Sequence, residues 1–98
     1  MIKAVIDKEK ELDRIVDISR EFGAKKVFLF GSFLENKDRA RDIDIAVSGV
    51  SAEDFFTYYG KVSMEVKDEV DIVDLEDVSP HFYRRIISKG KILYERKI

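Results

Sequence analysis

Two short runs, Lys26–Phe30 and Asp42–Ser48, constrain this chain more than any others. The first, Lys-Val-Phe-Leu-Phe, is almost wholly apolar, which predicts a central strand covered on both faces. The second sets Asp42 and Asp44 in alternation with Ile43, Ile45 and Val47. In a strand, residues two apart point to one face, so the carboxylates project together and the three aliphatic side chains face the other way. Gly49 ends this second strand.

Between the runs stands Gly31-Ser32. Glycine has no Cβ, so a ligand can approach the backbone there. Ser32 opens a predicted single helical turn, Phe33 to Asn36, whose unpaired N–H groups attract phosphate. Lys37 to Arg41 reads as a charged loop. Two carboxylates side by side repel each other, and a divalent cation relieves that repulsion. Hard oxygen ligands suit Mg²⁺. A phosphate cradle beside a metal-binding carboxylate pair points to phosphoryl or nucleotidyl transfer from a nucleoside triphosphate.

Ninety-eight residues predict one domain, residues 1–98, with a single modest core. No apolar run approaches the ~20 residues that span a bilayer, and the N-terminal apolar stretch is too short for a secretory signal. With no cysteine, disulfides, zinc-thiolate sites and cysteine nucleophiles are excluded. A cytoplasmic protein is expected. Charged residues make up 39% of the chain, yet the formal net charge is only -2, which argues against a general nucleic-acid sleeve. Abundant Lys, Glu and Arg with no Gln and a single Asn is the bias of hyperthermophile proteins.

Residues 7–22 predict an amphipathic helix with an apolar stripe of Leu12, Ile15, Val16, Ser19 and Phe22. Asp7 is placed to cap its start and Gly23 to end it. Ser51-Ala52-Glu53-Asp54 matches a capping box. Phe55, Tyr59, Val62 and Val66 follow at helical spacing, giving a helix over 52–66. Gly60 inside it has no evident reason and costs roughly 1 kcal/mol relative to Ala. Tyr58 and Tyr59 are adjacent, so one of them belongs outside the core. Glu69 to Leu75 predicts a third strand, with Val70 and Ile72 on one face and Asp71, Val73 and Leu75 on the other. Ser79-Pro80 starts a last helix, as cap and first helical residue, and Gly90 ends it. Lys91 to Glu95 is a final strand or a docked extension. Strands alternating with helices predict a mixed α/β sandwich around a small sheet.

Holding two metals and deprotonating an attacking hydroxyl calls for a third carboxylate. Asp71 is favoured over Asp74, because a strand between apolar neighbours should not place an acid at 71 without compensation. His81 reads as solvent-exposed. Arg84, Arg85, Lys89 and Lys91 suit a helix C-terminus or an acidic partner.

Gly31-Ser32, nine residues, Asp42-x-Asp44, then Asp71 within Val70–Leu75 resembles the minimal nucleotidyltransferase (MNT) family of the DNA polymerase beta-like superfamily. The closing Tyr83–Tyr94 segment is similar to the end of many such proteins. The resemblance implies the polymerase beta-like nucleotidyltransferase fold, of α/β (α+β) class. It implies that Gly31 and Ser32 hold nucleotide phosphates, that Asp42 and Asp44 bind two Mg²⁺ ions, and that Asp71 completes the metal site nearer the acceptor. It further implies ATP as substrate, and a HEPN-type helical toxin, encoded nearby, as partner and as acceptor of AMP on a tyrosine hydroxyl. The sequence departs from the family where Phe33-Leu34-Glu35 replaces an Arg-containing turn, leaving Lys37, Arg39 or Arg41 to supply charge. No separate acceptor-recognition domain is visible, so a partner chain or a second copy would complete the cleft. The competing readings are a vestigial site in a module that neutralises such a toxin by contact, and transfer to a small molecule or an RNA end.

Overall fold

In the computed structural model, the structure describes residues 2–31 and 42–97, with side chains from residue 9 onward. Helix α1 (Ile2–Glu21) leads to β1 (Lys26–Phe30), and β2 (Asp42–Ser48) to α2 (Ala52–Glu65). Strand β3 (Glu69–Asp74) runs into a 3-10 turn (Leu75–Asp77), then α3 (Pro80–Lys89) and β4 (Lys91–Glu95). The four strands form one mixed sheet in the order β3-β2-β1-β4. β1 is antiparallel to both its neighbours, while β2 and β3 run parallel.

Alternation along the central strands sorts two cores. Val27, Leu29, Ile43, Ile45 and Val47 face α1 and α2, together with Ile15, Ile18, Tyr58 and Val62. Phe28 and Ala46 face the other way, against Leu75 and Ile86. The sheet is therefore covered on both sides, as the apolar run at Lys26–Phe30 requires.

Three boundaries differ from expectation. α1 begins at Ile2 rather than near residue 7, so Asp7 is an interior helical position and not the cap. Ile2, Val5 and Ile6 extend the apolar spacing backward, and the Lys- and Glu-rich sequence between them has good helix propensity. α2 stops at Glu65, one residue early, with Val66 extended. β3 stops at Asp74, whose carboxylate accepts from the Glu76 N–H at 2.9 Å and turns the chain into the 3-10 turn.

The remaining caps are as expected. Ser51 Oγ accepts from the Asp54 N–H at 3.2 Å, Ser79 Oγ from the Phe82 N–H at 3.2 Å, and Gly23 is left-handed at φ +84°. The final segment is a strand, paired to β1 with a bulge between Val27 and Phe28.

Of the two adjacent tyrosines it is Tyr58, not Tyr59, that is fully buried. Its hydroxyl lies 2.7 Å from Ser19 Oγ, which in turn donates to the Ile15 carbonyl at 2.7 Å. A hydroxyl buried without a partner would be costly, and this pair satisfies both groups while locking α1 to α2. Burial pushes the Tyr58 phenol up to about 12. At the surface, Arg14 with Glu65 and Lys61 with Glu21 join the same two helices. Among the described residues no helix is long and apolar enough to cross a membrane.

Candidate active site

The carboxylates expected to act together stand on β2 and β3, on the face shared with α3. Asp44 is the register partner of Asp71 across the parallel pair. Ile43 opposite Val70 and Ile45 opposite Ile72 are buried on the reverse face. Asp42 lies two residues before Asp44 on the same face. Burial, then Asp71, then Asp42 hold the Asp44 carboxyl above its ordinary value. Its charged form is the one that burial and the neighbouring carboxylates disfavour.

Gly31 ends β1 beside Asp44. It is left-handed at φ +78°, and a Cβ built on it would fall 2.1 Å from Asp44 Oδ2 and 3.0 Å from Asp44 Cγ. Glycine is thus required twice, for the turn and for the room the carboxylate takes. Ser32, the helical turn 33–36 and the cations Lys37, Arg39 and Arg41 lie outside the described residues.

Asp71 differs from expectation in one respect. The residue is exposed, because β3 is an edge strand, so burial does not explain an acid at that position. Its carboxylate is instead met by the Tyr59 hydroxyl at 3.4 Å, which also donates to the Val70 carbonyl at 3.0 Å. Asp74 is the register partner of Val47 and is occupied by its turn. Among the described residues, no three His, Cys, Asp or Glu side chains are drawn together as a ready-made metal cage. The donor chemistry nevertheless suits a hard cation: all three candidates are carboxylates, and Asp44 is crowded by the other two.

A hollow of about 330 Å³ opens beside Gly31. Phe30, Phe82 and Ile86 form its apolar wall, and Arg85 and Lys89 bring positive charge to it. Phe30 and Phe82 meet edge to face, with ring centroids 5.7 Å apart. Sequence reasoning grouped Arg85 and Lys89 with helix-end cations. Only their four-residue spacing on one face of α3 hinted that they share a site.

Residues 13–98 match the family described as polymerase beta, nucleotidyltransferase. The chain belongs to the polymerase beta nucleotidyltransferase family. Among solved structures, its fold neighbours include chains of toxin–antitoxin proteins, the class that the family resemblance implied. A chain of a toxin–antitoxin complex with AMP-PNP is 24% identical with a TM-score of 0.74, over 88% of this chain and 74% of that one. A chain of the MntA–HepT toxin–antitoxin is 22% identical with a TM-score of 0.70, over 90% and 73%. A chain of the complex of tri-AMPylated Shewanella oneidensis HEPN toxin with MNT antitoxin is 24% identical with a TM-score of 0.71, over 90% and 72%. At these identities the likeness is one of fold. No curated protein matches by sequence.

Proposed function

We propose that this nucleotidyltransferase is an MNT-type antitoxin that transfers AMP from ATP to a hydroxyl of a HEPN-type helical partner, in the presence of Mg²⁺. The observation that carries the reading is the crowding of Asp44 by Asp42 and Asp71 against a glycine that leaves room for it. Solved structures of the same fold, one with AMP-PNP and one with an AMPylated HEPN toxin, support ATP as the nucleotide and a HEPN-type protein as the acceptor.

Asp42, Asp44 and Asp71 would hold the divalent ions. Bound there, the ions supply Lewis-acid charge at the α-phosphate and make the acceptor hydroxyl more acidic. Gly31 and Ser32 admit the outer phosphates to the backbone. Arg85 and Lys89 supply the positive charge that an Arg-containing turn would otherwise provide, while Phe30 and Phe82 offer an apolar wall to the base. The acceptor oxygen bonds to the α-phosphorus as the bond to the bridging oxygen breaks. Pyrophosphate leaves, and the acceptor proton passes to Asp71.

Incubation of the protein with each nucleoside triphosphate, Mg²⁺ and the HEPN-type product of a neighbouring gene, followed by intact mass, tests the reading. Gain of one or more AMP units on the partner is the expected outcome. An unchanged partner mass with every nucleotide refutes transfer.

Replacing both Arg85 and Lys89 with Gln is expected to raise KM for ATP about tenfold, since both side chains are exposed and two exposed ion pairs at about 0.2–1 kcal/mol each are lost. kcat should change little. A double variant with the parent's KM would remove these cations from the nucleotide site.

A further inference from the structure

Tyr59 reaches the candidate site from α2. Its hydroxyl donates to the Val70 carbonyl at 3.0 Å and lies 3.4 Å from Asp71 Oδ1. That carbonyl belongs to the peptide that leads into Asp71. A phenol has one proton to give. The shorter contact takes it to the backbone, and the longer one brings the carboxylate beside it.

Asp71 needs such a support. β3 is paired only to β2, and Asp71 is exposed on that edge strand. Packing does not hold an exposed carboxylate in one rotamer. The Asp71 charge also acts on Asp44, its register partner, and like charges push apart. A carboxylate that ligates a metal is itself hydrogen-bonded as a rule, because its orientation must be fixed.

Tyr59 is fixed in its turn. It is half-buried and packs against the core beneath α1 and α2. Its ring meets that of Phe55 edge to face, with centroids 6.4 Å apart. A phenylalanine would fill the same space, so the hydroxyl is the part that packing leaves unexplained. In the preceding residue, Tyr58, the hydroxyl pairs with Ser19 inside the core. The Tyr59 hydroxyl goes to β3 instead.

We propose that Tyr59 is a positioning residue for Asp71, an inference that rests on the reading of Asp71 as a metal ligand. The hydroxyl steadies the peptide before Asp71 and holds Oδ1, leaving the second carboxylate oxygen for the divalent ion. Tyr59 acts through Asp71 and not on the substrate.

Mn²⁺ suits the same oxygen ligands as Mg²⁺, and its binding to the full chain is read by electron paramagnetic resonance. The parent should bind it, and Asp71→Asn should bind it about tenfold more weakly or worse. Tyr59→Phe keeps the ring and its contact with Phe55, and should also weaken binding about tenfold or more. In the Asp71→Asn background the same change should cost nothing further, because the hydroxyl then has no ligand to position. In AMP transfer at saturating ATP, Tyr59→Phe should need about tenfold more Mg²⁺ for half-maximal rate, with KM for ATP little changed. Urea unfolding of every variant separates lost stability from lost binding. A Tyr59→Phe protein that binds Mn²⁺ like the parent, whatever its stability, overturns the proposal and leaves Asp71 in the site. So does an equal loss of binding with and without Asp71. A parent that binds no Mn²⁺, or an Asp71→Asn variant that binds it as tightly as the parent, overturns the reading of Asp71 and the proposal with it.

Discussion

Asp44→Asn is expected to leave a protein that folds better and transfers nothing. Its carboxyl is held above its ordinary value of 3.8 by burial and by the charges of Asp71 and Asp42. The folded chain therefore binds that proton more tightly than the unfolded chain does. Stability must fall as pH rises from the unfolded value through the folded one, and above that window the full penalty remains. The amide carries no charge and escapes it. Without divalent cations at neutral pH, the variant should gain about 0.2–1 kcal/mol, the general size of a side-chain interaction across a strand pair, here unfavourable in the parent. Its Tm should rise by a few degrees, and the gain should vanish below the ordinary carboxylate range. Millimolar Mg²⁺ should raise the parent's Tm and not the variant's, since binding stabilises only a state that holds the ion. Loss of transfer should reach about a thousandfold or more, the equivalent of several kcal/mol of charge stabilisation. Thermal melts at two pH values, with and without Mg²⁺, and AMP transfer on the same samples measure all of this. A variant that melts like the parent and still labels its partner would remove Asp44 from the site.

The strands, their faces and most caps were legible because each rests on a local rule. Asp42 and Asp44 had to share a face once Ile43, Ile45 and Val47 were committed to the other, and β2 shows that sorting. What was not legible depends on which element lies beside which. Glu69–Asp74 reads as a strand from its own residues, but nothing in them says it is an edge, so the acid at 71 was explained by a burial it does not have. Tyr58 and Tyr59 are chemically alike and adjacent. The one that enters the core is set by where Ser19 arrives from α1, thirty-nine residues earlier. Arg85 and Lys89 come to line one hollow with Gly31 only when α3 folds back beside it. Asp7 failed as a cap for a different reason: capping preference is a modest local term, and the apolar spacing from Ile2 onward outweighs it.

Gly31→Ala should damage the site more than the fold, and a second glycine supplies the control. Gly23 and Gly31 have nearly the same left-handed backbone, φ +84° and +78°. An alanine at either must adopt a conformation that costs about 1–2 kcal/mol for an L-residue. Both variants should therefore lose similar stability in urea unfolding. They differ in what the new methyl group meets. At Gly23 there is nothing within 4 Å, whereas at Gly31 the methyl would fall on Asp44 Oδ2, with Asp44 Cγ and Cβ close behind. Rotating that carboxylate away is the least costly relief, and it moves the group on which metal binding is proposed to depend. A misplacement of about 1 Å near reacting groups can cost about 100-fold in rate. Gly23→Ala should then keep the parent's transfer rate under conditions where it is folded, while Gly31→Ala loses about two orders of magnitude and its response to Mg²⁺. Equal transfer by the two variants at matched folded fraction would mean that the closeness of Gly31 to Asp44 has no bearing on the chemistry. Equal loss would mean that the left-handed turns matter only for holding the sheet together.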